Sequence, residues 1–343
     1  MLNKVVVFSN DFFFEDKRHL YYQNKNTKTI LEIISSKFQI FLVSRNKLVN
    51  PNLKWSKKNI KKTNILSIFN LIKKNKKLKF FFISITPLNF FYFILLKLLF
   101  IKKNKIFLFL RSDGFKEYKI KLSYIGYYTY FIMFKFFCSN STVLSVSRYF
   151  EKLKNFKILL PSELTDFWLK KNFNNKINKK VSILYVGRFR KEKGFISLIN
   201  IFKKMKKKLG KYNLSLTLVG TEKKIELKEK NIRIIKEVNN DKKLKRIYDM
   251  HQIFVLPSYT EGYPQVILES FSRKKPVIIF NDIKFLKKNY PNGLFVSERN
   301  EIGFTKTIKY ILLNYSKIIN KINKIKLTSK NNYKINLLKQ LQN

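Results

Sequence analysis

The chain has 343 residues, 45% of them hydrophobic and 27% charged, with a formal net charge of +51 and a single cysteine, Cys138. An apolar fraction near the globular average excludes wholesale disorder, and one cysteine excludes an internal disulfide and agrees with a reducing, cytoplasmic setting. The length exceeds what one hydrophobic core usually spans, so two α/β domains are expected.

The N-terminal segment MLNKVVVFSNDFFF runs directly into a strand pattern and meets charges at Asp16, Lys17 and Arg18, without the layout of a secretory signal. From there, short apolar runs rich in β-branched and aromatic residues alternate with helical stretches. Strands are expected at 4–9, 39–44, 79–85, 105–111 and 142–147 in the first half. In the second they are expected at 181–187, 214–220, 232–236, 253–258 and 276–281. Near-continuous hydrophobic strands separated by helices indicate parallel sheets covered on both faces. Such sheets bind ligands beyond the carboxyl ends of their strands.

Residues 80–101, FFFISITPLNFFYFILLKLLFI, are long enough to cross a bilayer. Pro87, Asn89 and Lys97 interrupt the run, and a strand, a Thr-Pro turn and a helix give each of them a natural place. That helix, apolar and followed by Lys102, Lys103 and Lys105, suits a membrane surface; a core helix with a basic carboxyl end produces the same pattern. A domain boundary is expected in LLPSELTDFW, residues 159–168. It divides an N-terminal domain, 1–162, from a C-terminal domain, 163–315. The Lys/Asn-rich tail, 316–343, reads as one or two amphipathic helices, with packing back on the N-terminal domain as one arrangement.

So large a positive charge invites a nucleic-acid reading. Of the 72 basic residues, however, ten are arginines; the lysines are spread along the chain and accompany abundant Asn, Ile, Phe and Tyr. These are products of A/T-rich codons, so compositional drift accounts for the charge and no specific nucleic-acid partner is expected. The surface is still drawn to anionic lipid headgroups. Against this background an arginine marks a place where a planar, bidentate fork is useful, which gives weight to Arg111, Arg148, Arg188, Arg190 and Arg273.

Two segments concentrate chemistry. PSYTEGYPQVILESFSRKKPVI, residues 257–278, follows a buried strand and holds Glu261 and Glu269 eight positions apart. Gly262 and Tyr263 make a turn, and Pro264 suits the first position of a helix that carries Glu269. The opening N–H groups of that helix, for example of Gln265 and Val266, can meet an anion or sugar hydroxyls. Two carboxylates are good acceptors for vicinal hydroxyls. SILYVGRFRKEKGF, residues 182–195, is a strand, a turn at Gly187, then Arg188 and Lys193 ahead of a helix. Two cations at a strand's carboxyl end make a diphosphate clamp. Arg190 and Arg273 are read as surface charges.

Together these segments resemble the retaining glycosyltransferases of family 4, whose fold, GT-B, has two Rossmann-like doubly wound domains facing a central cleft. The glutamate pair matches that family's E-x7-E motif, and GR…KG its phosphate-binding stretch. LVG at 218–220, PVI at 276–278 and NGLFV at 292–296 agree, so the resemblance covers roughly residues 181–297. It implies that Arg188 and Lys193 neutralise the donor diphosphate and the charge on the leaving nucleotide. It also implies that Glu261, with the N–H groups around Gly262 to Gln265, holds the transferred sugar, and that Glu269 binds the ribose. No cofactor or metal is implied beyond the nucleotide-sugar co-substrate. In the first half, relatives often carry a glycine-rich loop where this chain has SNDFFFEDKRHL, and a histidine–glycine pair where it has RSDG. His19 and His251 do not match that pair. Asp113 is thus either a sugar- or acceptor-contacting residue or a helix cap, and Ser147 and Arg148 are weaker candidates for a cleft-facing segment.

The expected activity is transfer of a hexose, with retention, from a UDP- or GDP-sugar to a glycan or lipid-linked acceptor. The expected products are surface polysaccharide or lipopolysaccharide, made at or near the inner face of the cytoplasmic membrane. The alternatives are a soluble transferase acting on a small molecule or protein, a charge-driven polyanion binder, and an inactive scaffold. A polyanion binder gives no reason for Glu261 and Glu269, since carboxylates repel phosphate.

Overall fold

The computed structural model describes residues 2–22, 24–46, 54–56, 59–146, 150–170, 177, 179–205, 212–220, 229–238 and 240–342. Ser147 and Arg148 lie outside the described residues. The chain forms two compact units, Met1–Pro161 with Lys330–Asn343, and Ser162–Ser329.

In the first unit the chain runs β1 (Asn3–Glu15), β2 (His19–Tyr22), α1 (Lys25–Ser35), β3 (Phe38–Asn46), β4 (Lys54–Ser56), β5 (Ile60–Lys62), α2 (Ile65–Lys74), β6 (Lys79–Ile83), α3 (Pro87–Leu98), β7 (Ile106–Leu110), α4 (Gly114–Ser139), β8 (Thr142–Ser145) and β9 (Phe156–Ile158). β1 lies between β3 and β6, and β7, β8 and β9 follow β6, all in parallel pairs. Val5, Val6, Val7 and Phe8 are fully buried, as the continuous apolar run requires.

The segment that lacks the relatives' glycines is a hairpin. β1 continues past Ser9 and pairs antiparallel with β2. Asp16 closes the turn: its Oδ1 accepts the N–H groups of Arg18 (2.7 Å) and His19 (2.6 Å), and these bonds bring its carboxyl down to about 2. The apolar stretch at 80–101 divides into strand, turn and helix. Thr86 caps α3 by accepting the N–H of Asn89, Pro87 takes the first turn, and Asn89 ties the turn to the carbonyls of Ile83 and Ser84. No helix among the described residues is long and apolar enough to cross a membrane.

The second unit continues with α5 (Asp166–Leu169), β10 (Lys180–Val186), α6 (Phe195–Met205), β11 (Asn213–Val219), β12 (Ile232–Ile235), α7 (Asp241–Asp249), β13 (Ile253–Leu256), α8 (Gln265–Ser272), β14 (Val277–Phe280), β15 (Leu294–Ser297), α9 (Glu301–Leu313) and α10 (Tyr315–Asn323). Its sheet is parallel throughout in the order β12-β11-β10-β13-β14-β15. Counted within the unit, this is strand order 3-2-1-4-5-6, the Rossmann arrangement. Every residue of β13 and β14 is buried. Tyr315, Ile318, Ile319 and Ile322 of α10 join the same core. A last helix, α11 (Lys330–Gln342), belongs to the first unit, where Lys330 meets Glu32 at 3.3 Å and Lys79 donates to the Leu341 carbonyl at 2.7 Å.

Arg273 corrects the surface reading. It has no exposed area. Its fork grips Asp249 through Nε (2.7 Å) and Nη2 (3.0 Å), and Nη1 donates to the carbonyls of Trp168 (3.1 Å) and Lys170 (2.9 Å). One side chain thus ties α5 and α7 to α8. Arg190, by contrast, is exposed. Beside this cluster Lys275 is 2% exposed, and burial brings its ammonium down to about 8, with Arg273 adding to the shift and Asp249 opposing it. The unfolded chain, with lysine near 10.4, therefore binds more protons than the folded one between about pH 8 and 10, so this group's contribution to stability rises with pH there. The unfolding free energy of Lys275→Met minus that of the parent is expected to fall by about 2 kcal/mol between pH 7 and pH 10. Denaturant titrations at the two pH values check this, and a constant difference would contradict it.

Candidate active site

Strands β10 and β13 are neighbours at the point where the second unit's strand order reverses, and the chain leaves their carboxyl ends toward opposite sides. Open parallel sheets bind ligands in the crevice at such a point. Both sequence motifs leave from it. After β10 the backbone N–H of Gly187 donates to the Val219 carbonyl (2.9 Å), and Arg188 follows with an exposed side chain. Its guanidinium makes no hydrogen bond or ion pair among the described residues. The chain then makes a single 3-10 turn at Lys191–Lys193, closed by Gly194 at φ +66. That left-handed conformation favours glycine, and a Cβ there would run into the Pro257 carbonyl. The loop after β10 therefore lies directly on the loop after β13.

Lys193 crosses this contact. Its Nζ is 2.6 Å from Oε1 of Glu261, which also accepts from Ser258 Oγ at 2.7 Å. The two side chains retain 19% and 10% of their area in solvent. Both bonds fall on Oε1; Oε2 of Glu261 takes none among the described residues. Residues 68 apart in sequence thus form one charged centre, and the carboxylate keeps an oxygen for a further donor.

Past Glu261 the chain bends at Gly262 and Tyr263, and the helix opens at Gln265, with Pro264 as its N-cap rather than inside its first turn. No side chain caps it, so backbone N–H groups of its first turn are left without a side-chain acceptor at the N-cap. Two side chains of this stretch hold structure. The Gln265 Oε1 accepts the N–H of Glu163 (3.1 Å), and the Tyr263 and Tyr290 hydroxyls meet at 3.0 Å. One turn into α8, Glu269 Oε2 accepts the hydroxyl of Tyr248 at 2.7 Å. Tyr248 is fully buried, and burial together with Glu269 holds its hydroxyl well above the usual tyrosine range. It stays a neutral donor and orients the carboxylate.

Two contributors escaped sequence reading. Tyr248 carries no signal beyond its place on an amphipathic helix. Arg299 had one, since it too is an arginine in a lysine-rich chain. It bonds Asp282 (2.6 Å) and the carbonyls of Pro257 (2.8 Å) and Ser258 (3.2 Å), and stacks over the Tyr259 ring at 3.9 Å. It fixes the loop that delivers Glu261.

Asp113 belongs to the first unit. It follows β7 and caps α4, its Oδ1 accepting the N–H of Lys116 at 3.2 Å. Nearby, Arg111 donates to Thr27 Oγ1 (3.1 Å) and approaches Asp11 Oδ2 at 4.0 Å, while Thr27 also bonds Asp11. Burial lowers the Arg111 guanidinium from its usual value, and Asp11 opposes the shift.

A parallel sheet in Rossmann order, with cations after its first strand and a carboxylate after its fourth, is a domain of the kind that binds nucleotides at its switch point. Residues 166–329, nearly all of this unit, match the family model Glycosyl transferases group 1, and the chain carries a domain of that family. As a whole it has the GT-B fold. It superposes on sucrose-phosphate synthase from Thermosynechococcus elongatus with TM-score 0.69 at 13% identity, covering 99% of this chain and 98% of that one. Against WaaG, a glycosyltransferase involved in lipopolysaccharide biosynthesis, the TM-score is 0.58 at 12% identity over 93% of each chain.

Among curated proteins it is 31% identical over 145 residues to an uncharacterized glycosyltransferase of Haemophilus influenzae, 39% of each chain. It is 26% identical over 187 residues, 51% of each chain, to the Campylobacter jejuni GalNAc-alpha-(1->4)-GalNAc-alpha-(1->3)-diNAcBac-PP-undecaprenol alpha-1,4-N-acetyl-D-galactosaminyltransferase. Against the Staphylococcus aureus capsular polysaccharide biosynthesis glycosyltransferase CapM it is 31% identical over 123 residues, 33% of this chain and 31% of that one. The matches span between about a third and a half of these relatives' own length.

Proposed function

We propose that the protein is a retaining hexosyltransferase that uses a UDP- or GDP-sugar and acts on a glycan or lipid-linked acceptor. The observation that carries this reading is the Lys193–Glu261 contact at the carboxyl ends of β10 and β13. One ammonium has three donors, so Lys193 can hold Glu261 and still meet a phosphate oxygen. Arg188, exposed in the same loop after β10, supplies the second cation. The free oxygen of Glu261 accepts from a hydroxyl of the transferred sugar, and Glu269, oriented by Tyr248, accepts from the ribose hydroxyls. The acceptor oxygen bonds to the anomeric carbon on the face the nucleotide leaves. As the carbon–oxygen bond to the diphosphate breaks, the departing phosphate takes the electron pair and then the acceptor's proton. Lys193 and Arg188 stabilise the charge that grows there.

The acceptor class is supported by two relatives: the Campylobacter jejuni transferase, whose substrate is a polyprenol-linked glycan, and CapM, a glycosyltransferase of capsular polysaccharide biosynthesis. We place this activity in surface polysaccharide or lipopolysaccharide assembly on the inner face of the cytoplasmic membrane.

The test is a thermal-shift and donor-hydrolysis panel with UDP-, GDP-, ADP- and dTDP-sugars. A donor at about 100 times its Kd stabilises the folded state by roughly 2.7 kcal/mol, a Tm rise of about 5–10 °C for a domain of this size. One nucleotide is expected to produce that rise, and Glu269→Ala and Arg188→Ala to reduce it. No shift with any donor, for a protein that melts cooperatively, would refute the donor site.

A further inference from the structure

The first unit carries an apolar surface that the donor site does not use. α4 is broken at Leu122 and Ser123, where Ser123 takes φ +56. Beyond the break, Ser123 to Phe134 contain no charged residue. One stripe of this second half, with Tyr130, Met133 and Phe137, is buried, and Phe137 stacks on Phe93 of α3 at 3.9 Å. The other stripe faces water: Ile125 is 78% exposed, Tyr128 62% and Ile132 64%. Positions 125, 128 and 132 fall on one helical face. Between this stripe and α3 runs an apolar groove of about 460 Å³ lined by Pro87, Phe90, Phe91, Ile94, Ile132 and Met133. At the far end of α3, Phe100 is 91% exposed. A helix apolar on every side is normally buried on every side, and a contiguous apolar patch of this kind marks an interaction site.

The charge around the patch selects its occupant. Between Pro87 and Ser139 the chain has nine basic residues, including Lys97, Lys102, Lys103, Lys119 and Lys121, against two acidic ones, Asp113 and Glu117. Tyr124, Tyr127 and Tyr128 add rings with an apolar body and a polar tip, the side chains that favour a membrane–water boundary. A helix as short as α3 lies on a bilayer rather than through it. We infer that the exposed face of α3 and α4 is a docking surface for an anionic lipid bilayer, with the second half of α4 lying in the headgroup region and the lysines reaching lipid phosphates. The inference is independent of the donor-site reading, because docking needs no nucleotide.

The test is flotation of the full chain with phosphatidylcholine vesicles, with and without 30% phosphatidylglycerol, at about 0.15 M salt, where charge acts only within about 8 Å. Any chain of this net charge is attracted to anionic vesicles, so the deciding variant removes apolar surface and leaves charge alone. Ile125→Ser with Ile132→Ser is expected to weaken binding to the phosphatidylglycerol vesicles at least tenfold with an unchanged Tm. A control with Lys306, Lys309 and Lys317 of the second unit changed to serine is expected to stay within twofold of the parent. Hydrogen exchange on vesicles should show protection concentrated in residues 120–136. Equal binding by the Ile125→Ser, Ile132→Ser variant would overturn the proposal. So would protection elsewhere, or a concentration-dependent dimer in sedimentation that the same variant abolishes, since the face would then meet a second copy.

Discussion

Lys193→Ala is expected to lower the turnover of sugar transfer by about 10²–10³-fold, the usual effect of removing one positioned group that stabilises transition-state charge. The loss should fall on kcat more than on KM, because the charge on the leaving diphosphate is largest in the transition state. Glu269→Ala should show the opposite split, since a ribose contact is made equally in ground and transition states. Lys193→Ala also takes a partner from Glu261, which keeps Ser258, so the carboxylate remains held on one side. Steady-state kinetics with the donor identified by thermal shift, together with the Tm of each variant, separates chemistry from folding. If Lys193→Ala turned over within threefold of the parent, the ammonium would have no part in the reaction and its bond to Glu261 would be structural.

For Arg273→Leu the expected change is in stability, a loss of about 3–5 kcal/mol, as when one partner of a buried ion pair is removed. The guanidinium is fully buried, and its hydrogen bonds include two to Asp249 and two to carbonyls of the α5 segment. Leucine leaves those carbonyls and one carboxylate without their donor. Asp249 keeps 28% of its side-chain area in solvent, which moderates the penalty on that side. Arg273→Lys is expected to recover little, because an ammonium cannot span both carboxylate oxygens and two carbonyls at once. Unfolding by denaturant, or a Tm fall of about 10 °C or more, reads the effect. A loss under 1 kcal/mol would show that water replaces the guanidinium, and that the arginine is not what ties α5 to α8.

The alternation of apolar runs and helices announced two parallel sheets, and each of the ten expected strands is present with its ends moved by a few residues. Most of those strands are legible because they are buried on both faces and so have no polar alternation to confuse the reading; the edge strand β12, with Arg233 exposed, is the exception. β2, β4, β5, β9 and β15 were not legible: they are three or four residues long, and β4, β5, β9 and β15 lie at sheet margins where neighbouring strands, not composition, decide the pairing. The same holds for the turn at Asp16, which two backbone bonds make and no glycine marks.

Within the site, residue identity and order were enough to single out Gly187, Arg188, Lys193, Glu261 and Glu269, since each stands at a strand end or helix start that local patterning reveals. What local patterning does not contain is contact across 68 residues. The bond from Lys193 to Glu261, the seating of Gly194 against Pro257, and the support of Glu269 by Tyr248 exist only because parallel pairing sets β10 beside β13 and packs α7 against α8. Arg273 makes the point most sharply. Its neighbours in sequence are lysines and a serine, the surroundings of a surface charge, and its burial follows from an aspartate and two carbonyls that only the folded chain brings within reach. Sequence thus determined which elements form and which side chains stand at their ends, because those depend on short-range periodicity and capping. Tertiary structure alone decided which of those ends meet and which cation lies inside, because Coulomb and hydrogen-bond partners are chosen by distance in space.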